Sequence, residues 1–298
     1  MIGQIIVDGV TSGAMIGLGA IGLTLTYGLL RFANFAHGEF ATWGAYVALL
    51  AAGALGGAAP LGPLTFGWPL LAALLASMAL TALLAWSLDA VLFRRLRRHG
   101  NAIVLVIASF GAALALRSAV EVLFGPEPYY YSREIAMTLP LAPGMRATAD
   151  QLVVLALALV LMLAMHLLLV RTPLGRAMRA VSENPDLARL AGIDAARVVR
   201  ATWLLGGALA AASGVFLGVT VQVRPGMGFE LLLPLFAAAI LGGIGSVPGA
   251  MVGGLVIGIA EAVSVPLAGA QYRAAVAFVV MLAMLLVRPR GLFGGRGA

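Results

Sequence analysis

Few residues in this chain could carry chemistry, and their spacing works against most of what they could do. The three histidines, His37, His99 and His166, lie in separate segments, so no neighbouring pair offers zinc-ligand spacing. His37-Gly38-Glu39 matches half of a deaminase zinc pattern, but the chain has no cysteine to complete it. The same absence removes disulfides, thiolate metal sites and cysteine nucleophiles. No Gly-x-Ser-x-Gly elbow is present, and all 19 basic residues are arginine, which rules out a serine–lysine dyad. A Walker A loop needs its lysine on the nucleotide phosphates, so any ATP hydrolysis belongs to a partner. The glycine-rich stretch Leu241 to Gly254 therefore reads as a tight turn or broken helix, not a phosphate cradle. The expectation is a chain that is not an enzyme and holds no metal or cofactor.

What remains is polar chemistry inside apolar surroundings. Asn34, His37 and Glu39 stand together in NFAHGEF, flanked by Gly28, Gly38 and Gly44. A charged side chain at the centre of a bilayer costs about 2.5–3.5 kcal/mol even on insertion scales. Glu39 therefore faces either an aqueous interface or the interior of a bundle and its pathway. The favoured reading is a helix-breaking turn on the cytoplasmic face, with Asn34 capping and Glu39 in the first turn that follows. Glu261 is expected to point into the bundle and pair there. Arg117, near the end of its run, is expected to snorkel to the outer interface.

These residues sit within elements built for lipid. Of 298 residues, 62% are hydrophobic and 10% charged, with mean hydropathy +1.03. A soluble domain would carry about 25% charged residues. Apolar runs near 5–30, 38–56, 68–92, 102–124, 152–170, 201–221, 229–247, 249–267 and 272–287 predict a single all-α, polytopic membrane bundle over 1–298 with eight or nine hydrophobic elements. No charged n-region precedes the first run, which argues against a cleaved signal peptide. The net charge of +7 tracks the loops and not a nucleic-acid surface. With Arg31, Arg94, Arg95, Arg97, Arg98, the 171–200 segment and the tail on one side, that side holds fourteen arginines against four. The positive-inside rule makes it cytoplasmic, together with the C-terminus. Residues 125–150 then form an outer loop, where Tyr129, Tyr130 and Tyr131 suit an interfacial belt. Gly13-Ala14-Met15-Ile16-Gly17 recurs as Gly249-Ala250-Met251-Val252-Gly253, as an inverted repeat or as convergent helix-packing glycines.

The most legible turn chemistry lies in Arg171 to Arg200. Thr172-Pro173 and Asn184-Pro185-Asp186 each read as an N-cap followed by a proline at the first helical position, Gly192 as a stop, and Asp194 as a third cap. The middle helix would place Leu187, Leu190 and Ala191 on one face and Arg189 on another. It is either a solvated linker or a docking element.

SENPDLARLAGID, with Ala188 four residues before Gly192, resembles the coupling motif of ABC-importer permeases, although Asp186-Leu187-Ala188 replaces the usual Glu-Ala-Ala. Together with LTYGLLRFANFAHGEFATWGAY it closely resembles the LivH-type branched-chain amino acid permeases, from Gly9 to about Gly291. The resemblance implies a type II-like ABC-importer permease of the bacterial inner membrane, importing branched-chain or related hydrophobic amino acids. It implies as partners two cytoplasmic ATPases that bind ATP and magnesium, a homologous sister permease and a periplasmic binding protein. On this reading Glu183, Asn184, Pro185, Asp186, Leu187, Ala188, Arg189, Leu190 and Gly192 contact the ATPase. Asn34, His37, Glu39 and Glu261 are candidates for pathway or gate, and Arg133 and Arg146 for docking the binding protein. The competing class is a self-contained proton-coupled transporter using Glu39, Glu261 or a histidine. A membrane scaffold is disfavoured by the acids within or beside the spans.

Overall fold

The structure is a computed structural model describing residues 2–57, 60–97, 100–134 and 136–294, so Arg98, His99 and Arg296 lie outside the described residues. Apolar runs can pair their backbone in lipid only by coiling on themselves. They do so as α1 (Ile2–Leu30), α2 (His37–Ala54) and α3 (Trp68–Leu88), the last continuing through a π-helical turn (Asp89–Phe93) into α4 (Arg94–Leu96). Then follow α5 (Ala102–Phe124), α6 (Ala149–Arg171), α7 (Pro173–Glu183), α8 (Pro185–Leu190), α9 (Ala195–Thr220), α10 (Met227–Gly242), α11 (Val247–Ala268) and α12 (Arg273–Val287). Seven of these helical stretches are long and apolar enough to cross a membrane. The two other long helices in the bundle are α2 and α10.

Both begin inside the bundle. His37 donates its ring Nε2–H to the carbonyl of Gly19, 3.0 Å away. At 1.5 Å per residue Gly19 lies about 16 Å back along α1 from Leu30. Residues 31–36 therefore climb back between the helices before α2 starts. From the opposite face, residues 221–226 descend from the end of α9 to Gly228, whose N–H donates to Thr42 Oγ1 at 3.0 Å. The two helix starts meet backbone to backbone. A Cβ on Gly38 would stand 2.3 Å from the Gly228 carbonyl oxygen, and one on Gly228 2.1 Å from that of Gly38. Non-helical backbone at this depth is tolerated because protein surrounds it.

In chain order the long helices fall into two groups of four, α1–α2–α3–α5 and α9–α10–α11–α12, joined through α6 to α8. Gly28 and Gly38 in the first half are matched by Gly218 and Gly228 in the second, each pair ten residues apart. Of the two readings of the glycine echo between 13–17 and 249–253, helix packing is the one the contacts support. The echo lies on α1 and α11, which pack antiparallel, with Gly13 and Gly17 against Gly254 and Gly258. Leu18, Ile21, Leu23, Leu235 and Ile257 lie in the main core.

The fold is all-α as expected but for one short element within residues 125–150, where β1 (Thr138–Ala142) and β2 (Met145–Thr148) form an antiparallel hairpin. Thr148 then caps α6 reciprocally with Gln151. Each tyrosine of the loop makes a specific hydrogen bond. Tyr131 donates its hydroxyl to the Ala45 carbonyl at 2.8 Å, Tyr130 pairs with Gln222, and Tyr129 makes two backbone hydrogen bonds to Val223. Tyr129 and Tyr130 fasten the loop to the descending 221–226 segment, and Tyr131 fastens it to α2. Arg117 reaches one turn further along α5 to pair with Glu121 at 3.0 Å, and its guanidinium lies 6.0 Å from the Phe229 ring at the start of α10.

Candidate functional site

On the arginine-rich face, α7, α8 and the start of α9 form a corner whose turns are each closed by a side chain. Thr172 Oγ1 accepts from the Gly175 N–H, and Asn184 Oδ1 from those of Asp186 and Leu187. Asp194 Oδ1 accepts from Ala196 and Arg197 at 2.9 and 3.1 Å. Those two bonds, led by the one from Arg197, hold its carboxyl below the usual carboxylate range. Gly192 turns the chain at φ +81°, a conformation that suits glycine.

The face of α8 that carries Leu187 and Leu190 is turned outward. Ala188 is the inward residue, 3% exposed in a cluster with Met178, Val181 and Val198. Leu187 and Leu190 project outward, 63% and 87% exposed, and Ala191 is exposed as well. Arg189 shares the exposed surface and pairs with Asp186 at 3.1 Å. So short a helix packs with one small residue and presents the rest. Glu183, Asn184, Pro185, Asp186 and Gly192 complete that exposed surface.

The second group of polar residues sits at the start of α2, in the interior and not on the face where the turn was expected. Asn34, His37 and Glu39 are all at most 1% exposed. Asn34 Oδ1 accepts from the Ala36 N–H at 3.2 Å, so it braces the climbing segment; the cap position of α2 is Ala36, which makes no side-chain cap. Ser109 of α5 accepts from Phe35 N–H and donates to the Ala33 carbonyl, holding the same segment from another side. Neither carboxylate oxygen of Glu39 has a hydrogen-bond partner among the described residues.

Glu261 is buried too, but in α11 beside the layer of Gly9. That is about 15 Å along α1 from the layer of Gly19, by helical rise, so the structure does not bring it to Glu39. Its Oε1 has no partner among the described residues, against the expected pairing. Arg133 and Arg146 are exposed on the opposite face and form no ion pair among the described residues.

Sequence reasoning missed Asp89. It is buried in the π turn and pairs with Arg97 at 2.6 Å. Beside it, Phe93 stacks on Trp203 of α9 with centroids 5.2 Å apart, and Phe32 of the climbing segment packs on Phe93. A lone acid within an apolar run was the available signal, because such a residue is too costly to leave unpaired.

These features define a polytopic helical membrane protein with a polar interior turn and a short, capped, exposed helix on its arginine-rich face. The family model for the branched-chain amino acid transport system / permease component matches residues 5–285, and the chain belongs to that family. It is 36% identical to the high-affinity branched-chain amino acid transport system permease protein BraD of Pseudomonas aeruginosa, over 98% of this chain and 95% of that protein. It is 34% identical to the corresponding LivH protein of Escherichia coli K12, over 96% and 94%. A probable branched-chain amino acid transport permease protein LivH of Methanocaldococcus jannaschii is 30% identical, over 92% and 87%. Among solved structures, PsaBC from Streptococcus pneumoniae in complex with Fab covers 96% of this chain and 92% of its own at TM-score 0.47 and 14% identity, a likeness too slight to build on. Family membership favours a permease component over a self-contained proton-coupled carrier.

Proposed function

We propose that this chain is the transmembrane permease subunit of an ATP-driven ABC importer for branched-chain or related hydrophobic amino acids in a bacterial inner membrane. Two cytoplasmic ATPases bind ATP and magnesium and contact residues 183–192. A homologous sister permease completes the pathway, and a periplasmic binding protein selects the substrate and meets the face bearing Arg133 and Arg146. The arginine-rich face and the C-terminus are cytoplasmic by the positive-inside rule.

The observation that carries this reading is the surface of α8. Two leucines stand in water on a helix about 9 Å long that is capped at its start and ends at a glycine turn. A solvated linker has no need of either the leucines or the caps. Closure of the ATPases displaces α8, and the displacement reaches the bundle through α7 and α9, which flank it in the chain. The interior turn at Asn34, His37 and Glu39, where the two halves meet, is the part of the pathway that responds.

The test is uptake of radiolabelled leucine into proteoliposomes containing the permeases and ATPases, with binding protein and substrate outside and ATP trapped inside. Uptake that needs ATP and every partner is expected. Uptake by this chain alone, driven by a proton gradient, would refute the proposal.

A further inference from the structure

A second connection leaves the α8 corner, and it is not covalent. The last turn of α1 rests against the end of α7. Ser182, two residues before Asn184, donates its hydroxyl to the Gly28 carbonyl at 2.8 Å. Arg31 returns the contact, its guanidinium donating to the Ser182 carbonyl at 3.2 Å. Leu29 packs into the cluster that holds Ala188, Met178, Val181 and Val198. The end of α1 is thus tied to α7 by two opposed hydrogen bonds and shares an apolar cluster with α8.

The backbone at this tie is unusual. Arg31 has φ +54°, alone among the described non-glycine residues in the left-handed region. That conformation is disfavoured for a residue with a Cβ and persists where the surroundings impose it. Here it turns the chain from α1 into the segment that climbs to Asn34, His37 and Glu39. On its other side, Gly28 lies close to Gly245, and Gly245 N–H donates to Thr24 Oγ1 at 2.8 Å. The end of α1 is therefore gripped between α7 and the turn that joins α10 to α11.

We infer that Ser182 and Arg31 are positioning residues that carry displacement of α8 to the interior turn. The inference rests on α8 being the ATPase contact and goes beyond it by assigning the path to the first half of the bundle. Covalent links from α8 lead to α6 and α9. The segment 31–36 hangs instead from the residue that Ser182 holds, so a shift of α7 pulls on it at the point where the chain turns. The phenylalanine at 32 rests on Phe93, which gives the segment something to move against.

Two substitutions separate this role from simple support. Arg31→Gly removes the guanidinium and leaves the turn unstrained, because glycine adopts positive φ freely. Ser182→Ala removes the hydroxyl, and Ser182→Thr keeps it. The assembled transporter is reconstituted with the single variants and the Arg31→Gly/Ser182→Ala pair, and leucine taken up per ATP hydrolysed is measured beside co-purification of the ATPases and thermal melting.

In the double variant we expect wild-type retention of the ATPases, an unchanged melting temperature and uptake per ATP reduced about ten-fold, a size typical of coupling between sites. Ser182→Thr should restore most of the loss of Ser182→Ala. Wild-type uptake per ATP in the double variant overturns the inference. So does a loss that follows a lowered melting temperature and is not recovered by Ser182→Thr. Failure of the docking assignment is distinguishable: there Leu190→Asp leaves the ATPases bound, and the link to α8 loses its purpose.

Discussion

The sharpest consequence of the α8 geometry is a pair of substitutions, two residues apart, with opposite signatures. Leu190 is 87% exposed in the isolated chain, so nearly all its apolar surface remains to be buried by a partner. Burying a leucine side chain fully is worth about 1.5–3 kcal/mol. Leu190→Asp forfeits that and places a carboxylate in the contact, so affinity for the ATPase should fall by at least roughly ten- to hundred-fold. The isolated permease should hardly notice, because surface changes away from packing usually stay within about 0.5 kcal/mol. Ala188 is 3% exposed against Met178, Val181 and Val198, and Ala188→Asp buries a charge there. It should destabilise the α7–α8–α9 corner in the isolated chain by upwards of about 1 kcal/mol.

The assay is titration of detergent-purified permease with its labelled ATPase, alongside a thermal melt of the permease alone. Leu190→Asp should move the first and not the second, and Ala188→Asp should move the melt. An unchanged dissociation constant for Leu190→Asp, in a permease that melts like wild type, would refute the reasoning outright. The exposed leucines would then need another partner, and the well-capped corner another purpose.

At the meeting of the two helix starts, Gly228→Ala puts a methyl 2.1 Å from the Gly38 carbonyl oxygen and 2.3 Å from Thr42 Oγ1. Overpacking of this kind costs about 1–3 kcal/mol, read as a lower melting temperature; an unshifted melt would mean the two starts are not in contact. Glu39→Ala should lower uptake several-fold while leaving insertion and expression intact, and unchanged uptake at equal expression would remove Glu39 from the pathway. Asp194 titrates low because its carboxylate accepts backbone N–H bonds, first that of Arg197. Its cap therefore stabilises the start of α9 above the ordinary carboxylate pKa, and that stabilisation is lost as pH falls through the depressed folded value. Protection of the Ala196 and Arg197 amides, taken relative to their intrinsic exchange rates, should fall on acidification in the wild type, and Asp194→Asn should flatten that dependence; the same slope in both would exclude the cap.

The caps at Thr172, Asn184 and Asp194 were readable because each is a bond to an N–H two or three residues along, decided by neighbours in the chain. The nine apolar runs were readable for a similar reason, since lipid leaves a run of that length one way to pair its backbone. Depth was not readable. The runs at 38–56 and 229–247 look like spans, and nothing local says that α2 and α10 start inside; that follows from Gly38 meeting Gly228, 190 residues away. The ten-residue spacing of Gly28–Gly38 and Gly218–Gly228 carried the information, but the more conspicuous echo at 13–17 and 249–253 drew the reading to a packing contact. Likewise the burial of Ala188 could not be read from α8 alone, because it depends on α7 and α9. The hairpin at 138–148 left a fainter trace, in the alternation of Thr138-Leu139-Pro140-Leu141 and a Pro143-Gly144 turn.

The convergence of α2 and α10 also supplies an electrostatic reason for the acids near it. A helix start carries about half a positive charge in its unpaired N–H groups. Two starts abut here within the bundle, where little water screens them, and their like partial charges oppose the contact. Each helix carries an acid in its first turn, Glu39 in α2 and Glu230 in α10. The two are not equivalent. Glu230 is half exposed and pairs with Arg224 at the lip of the descending segment, so its charge is already answered. Glu39 is fully buried with neither carboxylate oxygen within hydrogen-bonding distance of a donor among the described residues, and the helix starts add to the favourable field of Thr42 and Arg117. Any motion that separates Gly38 from Gly228 removes part of that field and opens the carboxylate's surroundings together. The cost of leaving an acid in this position is thus coupled to the contact between the halves, which is why the interior turn, and not Glu261 some 15 Å away along the bundle, is where a shift of α8 should register.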